Sequence, residues 1–212
     1  MCKGVKIIEI IGYGEDALTL WAIKNRLNDI LAKLDDHSDI TKCKVFFRPS
    51  FGRSGGANSS QFGEFDFIIL SEEYLYLGES KWDRSSENKD GILELRDEQK
   101  LRHEIFRYYI EEWVSGDFPN WYSFLQKAEE DIKRKKFIKP LAPEKSLLST
   151  NLQTILQIIK SHFSSPPKTR NVLLYLHIGE STNLPKRVSD GFELILIDYS
   201  PDKLDNFIRI EL

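Results

Sequence analysis

The feature that most constrains the fold is a pair of apolar segments with charged residues at their ends, residues 63–70 and 74–82. Both are rich in aromatic and other large apolar residues, with β-branched isoleucines in the first, and the polar Ser-Glu-Glu stretch between them suits a turn, which predicts a β-hairpin. Side chains alternate along a strand, so Glu79 and Lys81 share a face that Asp66 can join from the neighbouring strand. Burying unpaired charge is costly, so charges at these positions indicate a role beyond packing.

The segments around the hairpin alternate between helical and strand patterns. Apolar residues at helical spacing predict helices over residues 15–34, 92–114, 121–136 and 146–163. Short apolar runs predict strands over residues 43–48, 171–178 and 192–199, and a further edge strand over residues 206–212. The apolar run at residues 5–11 suits either a strand or the lead-in to a helix. The glycine- and serine-rich stretch at residues 49–61 predicts a mobile loop.

The order of these elements predicts an α/β protein. A helix precedes a three-strand meander, a second helix follows, and a helical insertion at about residues 115–165 leads to the late strands. A strand that returns after a helical crossover can pair in parallel, so we expect a mixed central sheet flanked by helices. A length of 212 residues suits one domain spanning residues 1–212.

Composition excludes several classes of protein. The formal net charge is -3, so any nucleic-acid partner must be met by a local basic patch. Cys2 and Cys43 fit neither a metal site nor a disulfide framework, and the four histidines show no zinc-ligand spacing. The chain has no segment of transmembrane length and no apolar run typical of a signal peptide. We therefore expect a cytoplasmic protein without a membrane partner.

Asp66, twelve intervening residues and then Glu79-Ser80-Lys81 resemble the active-site signature of the PD-(D/E)xK nuclease superfamily, which has the restriction-endonuclease-like fold. The core of that family runs α-β-β-β-α-β, the order predicted above. The resemblance covers about residues 12–114 and the strand at 171–178. The chain departs from the family where Phe65 replaces the proline that precedes the first acid. Glu64 shares a strand face with Asp66 and is the alternative first acid.

The resemblance implies metal-dependent hydrolysis of phosphodiester bonds in DNA, with RNA also open. Mg²⁺ prefers carboxylate oxygens and water, and Mn²⁺ is its common substitute. The implied metal ligands are Asp66, Glu79, the backbone carbonyl of Ser80, and Glu15, which is similar to a glutamate that many members carry on the first helix. Lys81 would orient the attacking water or stabilise the transition state.

A polar residue on the helix after the third strand also belongs to the family pattern. Gln99 is the nearest match and Lys100 the alternative, with the expected role of orienting a water or a phosphate. Structural interpretations compete with these roles. Glu15 suits the positive end of a helix dipole, and Gln99 suits a solvated helix face. Glu79 and Lys81 also suit a simple ion pair at the end of a strand, and Asp66 suits the cap of a turn.

A nucleic-acid partner requires basic surface, because lysine and arginine neutralise phosphates without reading sequence. Basic residues adjoin the hairpin at Lys42, Lys44, Arg48, Arg53 and Arg84, and the densest run is Lys133, Arg134, Lys135 and Lys136. That run equally suits a solvated helix end. The competing class is a non-catalytic nucleic-acid-binding or scaffolding module on the same fold. Many members of the family are dimers, but no pattern here decides between a monomer and a homodimer.

Overall fold

The structure, a computed structural model, describes residues 8–49, 63–83, 88–89, 91–135, 142–179, 184–188 and 191–211. Its α-helices are α1 (Glu15–Asn25), α2 (Leu27–Lys33), α3 (Asp97–Ser115), α4 (Trp121–Lys135) and α5 (Leu147–His162). Its strands are β1 (Glu9–Gly12), β2 (Lys44–Phe47), β3 (Phe67–Leu70), β4 (Tyr74–Trp82), β5 (Asn88–Lys89), β6 (Ile92–Leu93), β7 (Lys168–His177), β8 (Arg187–Val188), β9 (Glu193–Asp198), β10 (Lys203–Leu204) and β11 (Phe207–Glu211).

The described strands form a central sheet and two small sheets. The central sheet has five strands in the order β2-β3-β4-β7-β9. It is mixed, because β2 pairs antiparallel with β3 whereas β7 pairs parallel with β9. The small sheets have the orders β1-β11-β10 and β5-β6-β8. The prediction of an α/β protein with a mixed central sheet is confirmed.

The chain divides into two compact units. The first unit comprises Met1–Thr41, Gly78–Glu94 and Asn171–Leu212, and the second comprises Lys42–Leu77 and Leu95–Arg170. The chain passes between the units at four points, of which two fall within β4 and β7.

The second unit is built on an apolar core between β3, the first half of β4 and the helices α3, α4 and α5. All four residues of β3 are buried, which explains why this strand is apolar on both faces. The helix α5 begins after Ser146, whose hydroxyl accepts the Ser149 N–H at 3.1 Å. Such N-caps satisfy a backbone donor that the first turn of a helix leaves without an intrahelical partner.

In the first unit, α1 packs on β11 and α2 lies against β9. Trp21 on α1 is fully buried, and its indole N–H donates to Asp202 Oδ2 at 3.0 Å. Gly12 allows β1 to approach the helix, because a Cβ at this position would lie 2.6 Å from the Ala17 Cβ. Gly14, with a φ of 87°, then turns the chain into α1.

The prediction of one helix over residues 15–34 is wrong, because two helices meet at Arg26. Arg26 has a φ of -126°, outside the helical region, although its N–H still reaches the Ala22 carbonyl at 2.8 Å. The helical hydrogen bonding resumes when Ile30 donates to the Arg26 carbonyl at 2.9 Å. Apolar spacing continues across a break of one residue, so the sequence pattern did not reveal it.

The prediction that the next helix starts near residue 92 is also wrong. Ile92 and Leu93 form β6, which pairs with β5 and β8, and the helix α3 begins only at Asp97. Leu95 is buried in the segment between them rather than on the helix. Short apolar runs next to a helix satisfy helical and strand patterns alike, which explains the error.

Three further predictions concern the ends of the chain and the glycine-rich loop. The sequence left open whether residues 5–11 form a strand or lead into a helix. In the described part of this segment the chain forms a strand, because β1 begins at Glu9. The predicted edge strand at residues 206–212 corresponds to β11, but β11 lies in a small sheet with β1 and β10 rather than in the central sheet. Most of the predicted loop at 49–61, including Arg53, lies outside the described residues.

Candidate active site

The second half of β4 carries charged side chains within the protein interior. Glu79 is 2% exposed, Ser80 is fully buried, and the Lys81 side chain is 13% exposed. Glu79 and Lys81 are two residues apart on one strand and therefore point to the same face. Charged residues are almost never this buried unless a partner compensates for their lost hydration.

Glu15 is such a partner for Lys81. The Lys81 Nζ lies 3.5 Å from Glu15 Oε1, although 66 residues separate the two in sequence. Glu15 is the first residue of α1, where the Thr19 hydroxyl donates to its backbone carbonyl at 2.7 Å. The start of α1 therefore delivers a carboxylate to the lysine of the Glu-Ser-Lys motif, within the first unit.

Asp66 and Glu64, the two candidates for the first acid, lie in the second unit just before β3. Asp66 is half-buried, and its backbone carbonyl accepts the Arg48 N–H at 3.0 Å. Glu64 Oε2 lies 2.6 Å from Arg48 Nη2 in a largely buried ion pair. Arg48 itself has a φ of 47° directly after β2. Arg48, predicted as a phosphate contact, therefore binds Glu64 in this structure.

Gln99 occupies the third position of α3 and closes its first turn. Its Oε1 accepts the Arg96 N–H at 3.1 Å, while its own N–H donates to the Arg96 carbonyl at 2.9 Å. These contacts give Gln99 a helix-starting role. Lys100, the alternative, lies 4.0 Å from Asp97 Oδ1 across one helical turn. A role for either residue at the reacting phosphate stays a prediction.

The predicted basic surface is only partly described. Arg53, Arg84 and Lys136 lie outside the described residues, and Lys133, Arg134 and Lys135 form the last turn of α4 with only their backbone described. Lys42 pairs with Glu72, with Nζ and Oε1 2.6 Å apart, and Lys44 is exposed on β2. The prediction of a nucleic-acid surface at these residues stays open.

The oxygen donors of the first unit fit the chemistry of magnesium. Glu79 and the backbone carbonyl of Ser80 lie on β4 beside Lys81, and Glu15 reaches the same lysine. Within the described residues, no group of three or more histidine, cysteine, aspartate or glutamate side chains is placed to hold a metal ion. Mg²⁺ in phosphoryl-transfer sites commonly uses one or two carboxylates and completes its shell with water and substrate phosphates. Glu79, Glu15 and the Ser80 carbonyl are donors of the kinds that Mg²⁺ uses, and a magnesium site formed by them stays a prediction.

Sequence reasoning missed an aromatic cluster beside these residues. The ring centroids of Tyr13 and Trp82 lie 6.1 Å apart, and those of Tyr13 and Phe207 lie 5.9 Å apart. The available signals were Trp82, which directly follows the motif lysine, and Tyr13, which stands between two glycines. No pattern linked either residue to Phe207, because that contact depends on the pairing of β1 with β11.

Comparison of the chain with protein-family models, curated proteins and solved structures finds no match. The resemblance to the PD-(D/E)xK superfamily therefore rests on the motif, its spacing and the order of the elements. No helix in the described part of the chain is long and apolar enough to cross a membrane.

Proposed function

We propose that this protein is a metal-dependent nuclease that hydrolyses phosphodiester bonds in DNA, with RNA as an additional substrate to be tested. The observation that carries the proposal is the placement of Lys81 within 3.5 Å of Glu15, on the strand face that also holds the buried Glu79. These are the lysine, the helix acid and the strand acid that the resemblance implies.

A purely structural ion pair accounts poorly for this arrangement. Buried ion pairs give little net stability, because the cost of removing both charges from water offsets their attraction. Apolar side chains would serve the second half of β4 better, as they do in its first half, where Leu75, Tyr76 and Leu77 are fully buried. Partly buried clusters of acids and amines are instead typical of catalytic sites.

The protein residues have distinct roles in the proposed reaction. Glu79, Glu15 and the Ser80 carbonyl would hold Mg²⁺, which when bound supplies Lewis-acid activation of water and charge stabilisation at the phosphoryl group. Asp66 is the further ligand that the family resemblance implies. The Lys81 ammonium would orient the attacking water or stabilise negative charge on the phosphoryl oxygens. Glu15 limits the freedom of that ammonium through their ion pair.

The resemblance implies Asp66 as the first acid, with Glu64 as the alternative. Glu64 is held by the Arg48 guanidinium at 2.6 Å, which competes with a metal for the carboxylate. We therefore expect Asp66→Asn to lose metal-dependent cleavage and Glu64→Gln to retain most of it. Loss of cleavage in Glu64→Gln with normal cleavage in Asp66→Asn would reverse this assignment.

Cleavage of labelled DNA and RNA in Mg²⁺ or Mn²⁺ tests the proposal. Lys81→Ala should reduce the rate about a hundredfold or more, because positioned acid–base groups contribute roughly 10²–10⁴-fold. Lys24→Ala is the matched control, since Lys24 is an exposed lysine at the end of α1 in the same unit. Circular dichroism should show that both variants keep the fold.

Two results would contradict the proposal. Equal cleavage by wild type, Lys81→Ala and Asp66→Ala would show that the motif does not catalyse the reaction. Binding of nucleic acid by wild type without cleavage in either metal would identify a non-catalytic module instead.

A further inference from the structure

The small sheet of the first unit has an exposed face that carries apolar side chains. Along β11, Ile208 and Ile210 are buried whereas Phe207, Arg209 and Glu211 are exposed. Leu204 lies opposite Phe207, and Ile11 lies opposite Arg209, and both of these apolar side chains are exposed. We call this surface the outer face. Contiguous exposed apolar surface on a folded protein commonly marks an interaction site.

Three rings form an aromatic platform at the edge of the outer face: Tyr13, Trp82 and Phe207. Tyr13 is 59% exposed and Phe207 is 46% exposed, although Tyr13 contacts both of the other rings in edge arrangements. In edge-to-face packing the edge of one ring meets the face of the other, so each contact covers a face of only one ring of the pair. The platform is therefore an ordered and accessible aromatic surface.

The platform is continuous with the candidate active site. Trp82 directly follows Lys81 on β4, and Tyr13 lies two residues before Glu15, the partner of that lysine. Gly14 lies between Tyr13 and Glu15, and a Cβ built on it would have no heavy atom within 4 Å. The backbone between the platform and the ion pair is thus open to a ligand.

We propose that the platform stacks unpaired nucleobases, so that the substrate is a nucleic acid with a single-stranded segment beside the bond to be cut. This inference rests on the proposed nuclease function. Aromatic side chains bind bases through their π-faces with little sequence preference, and a strand must be unpaired and unstacked to present those faces. Arg209 lies on the same outer face, half-exposed, with its Nε 2.6 Å from Glu9 Oε1, and can exchange that contact for a phosphate.

Binding measured without cleavage tests this inference separately from catalysis. Fluorescence anisotropy with a labelled single-stranded oligonucleotide and a labelled blunt duplex, both in EDTA, gives the two dissociation constants. We expect the single strand to bind more tightly. Tyr13→Ala and Phe207→Ala should each weaken its binding about fivefold or more, the lower limit for loss of one stacked base.

Two variants serve as controls. Tyr13→Phe keeps the ring and should bind as wild type does. Tyr122→Ala removes a ring that is 49% exposed on α4, in the second unit, and should leave binding unchanged. Together these results would show that binding requires the ring at position 13, and that removing an exposed ring elsewhere does not weaken it.

The possible failures are distinguishable. Cleavage of DNA or RNA by wild type, with equal affinity for the single strand in Tyr13→Ala and wild type, would overturn the stacking role and leave the nuclease function standing. Absence of both cleavage and binding would overturn the nuclease function itself. A wild-type dimer in sedimentation that becomes monomeric in Phe207→Ala would assign the outer face to a second copy of the chain and overturn the inference.

Discussion

The two units use aromatic side chains in opposite ways. In the second unit, rings from α3 and α4 and the partly buried Phe118 between them form a buried aromatic cluster: Tyr109, Trp113, Phe118, Trp121 and Phe124. In the first unit, the aromatic platform lies at the surface. Ring separations are similar, 5.4 Å for Trp113 and Phe124 against 5.9 Å for Tyr13 and Phe207. Exposure, rather than ring geometry, distinguishes the two groups.

The difference in exposure separates rings that stabilise the fold from rings that are available to a ligand. Burial of large aromatic surface dominates the energetics of a core. Two polar groups of the buried aromatic cluster are adapted to burial. Trp121 Nε1 donates to the Ala142 carbonyl at 2.9 Å, and burial raises the pKa of the Tyr109 phenol. The platform receives little of this stabilisation because much of its surface remains in water.

Truncation inside the buried aromatic cluster should have the largest effect on stability. Trp113→Ala should lower the free energy of unfolding by about 3–5 kcal/mol, the usual cost of replacing a buried Trp by Ala. Urea unfolding followed by circular dichroism measures this loss, with Tyr122→Ala on exposed surface as the control. A loss below about 1 kcal/mol would remove the contrast between the two groups of rings.

A smaller loss is expected when only the hydrogen bond of the cluster is removed. Trp121→Phe keeps an aromatic ring but leaves the Ala142 carbonyl without the indole donor that it accepts from at 2.9 Å. An unsatisfied buried acceptor costs about 1–3 kcal/mol. The same urea titration applies, and an unchanged midpoint would show that water replaces the lost donor.

The central part of the fold could be predicted because its signals are local. Residues 74–82 begin with aromatic and leucine residues and carry charged residues at positions 79 and 81, and β4 spans them as Tyr74–Trp82. Ser146 precedes a periodic apolar stretch, and α5 starts directly after it at Leu147. The errors at Arg26 and Ile92 arose where a helical pattern continued through a residue with non-helical backbone or through a short strand.

The candidate site was less accessible to sequence reasoning because its contacts are long-range. The pairing of Lys81 with Glu15 was anticipated only through a family resemblance, since no pattern connects residues so far apart in the chain. Gln99 carried a predicted role at the phosphate, but its side chain caps a helix start, a use that short-range spacing could have indicated. The platform depends on the register of β1 with β11, which the sequence does not specify.

The free energy of unfolding should depend on pH through Asp198 in the first unit. Burial of apolar side chains in the second unit produces no such dependence. Burial acts to raise the pKa of Asp198, but hydrogen bonds from Ser200, the charge of His177 and the Gly179 N–H outweigh it, so the pKa is lowered. A lowered folded-state pKa stabilises the protein above the unfolded value, about 3.9, and that stabilisation disappears as pH falls through the folded value.

The test of this dependence compares wild type with Asp198→Asn, which cannot ionise. The difference in the free energy of unfolding between them should be larger at pH 6 than near pH 3, and modest at both because Asp198 is partly exposed. Urea unfolding at the two pH values measures it. A difference that grows toward low pH would show that the pKa of Asp198 is raised in the folded protein rather than lowered.

The smallest effect on stability is expected at the platform itself. Tyr13→Ala should change the free energy of unfolding by about 0.5 kcal/mol or less, because exposed side chains contribute little to a fold. The ring is 59% exposed, and its contacts with Trp82 and Phe207 are edge arrangements at the surface. Urea unfolding of Tyr13→Ala beside Trp113→Ala places both groups of rings on one scale. A loss at Tyr13 approaching that at Trp113 would make the platform part of the structural core, and the similar ring geometry of the two clusters would then reflect a shared role in stability.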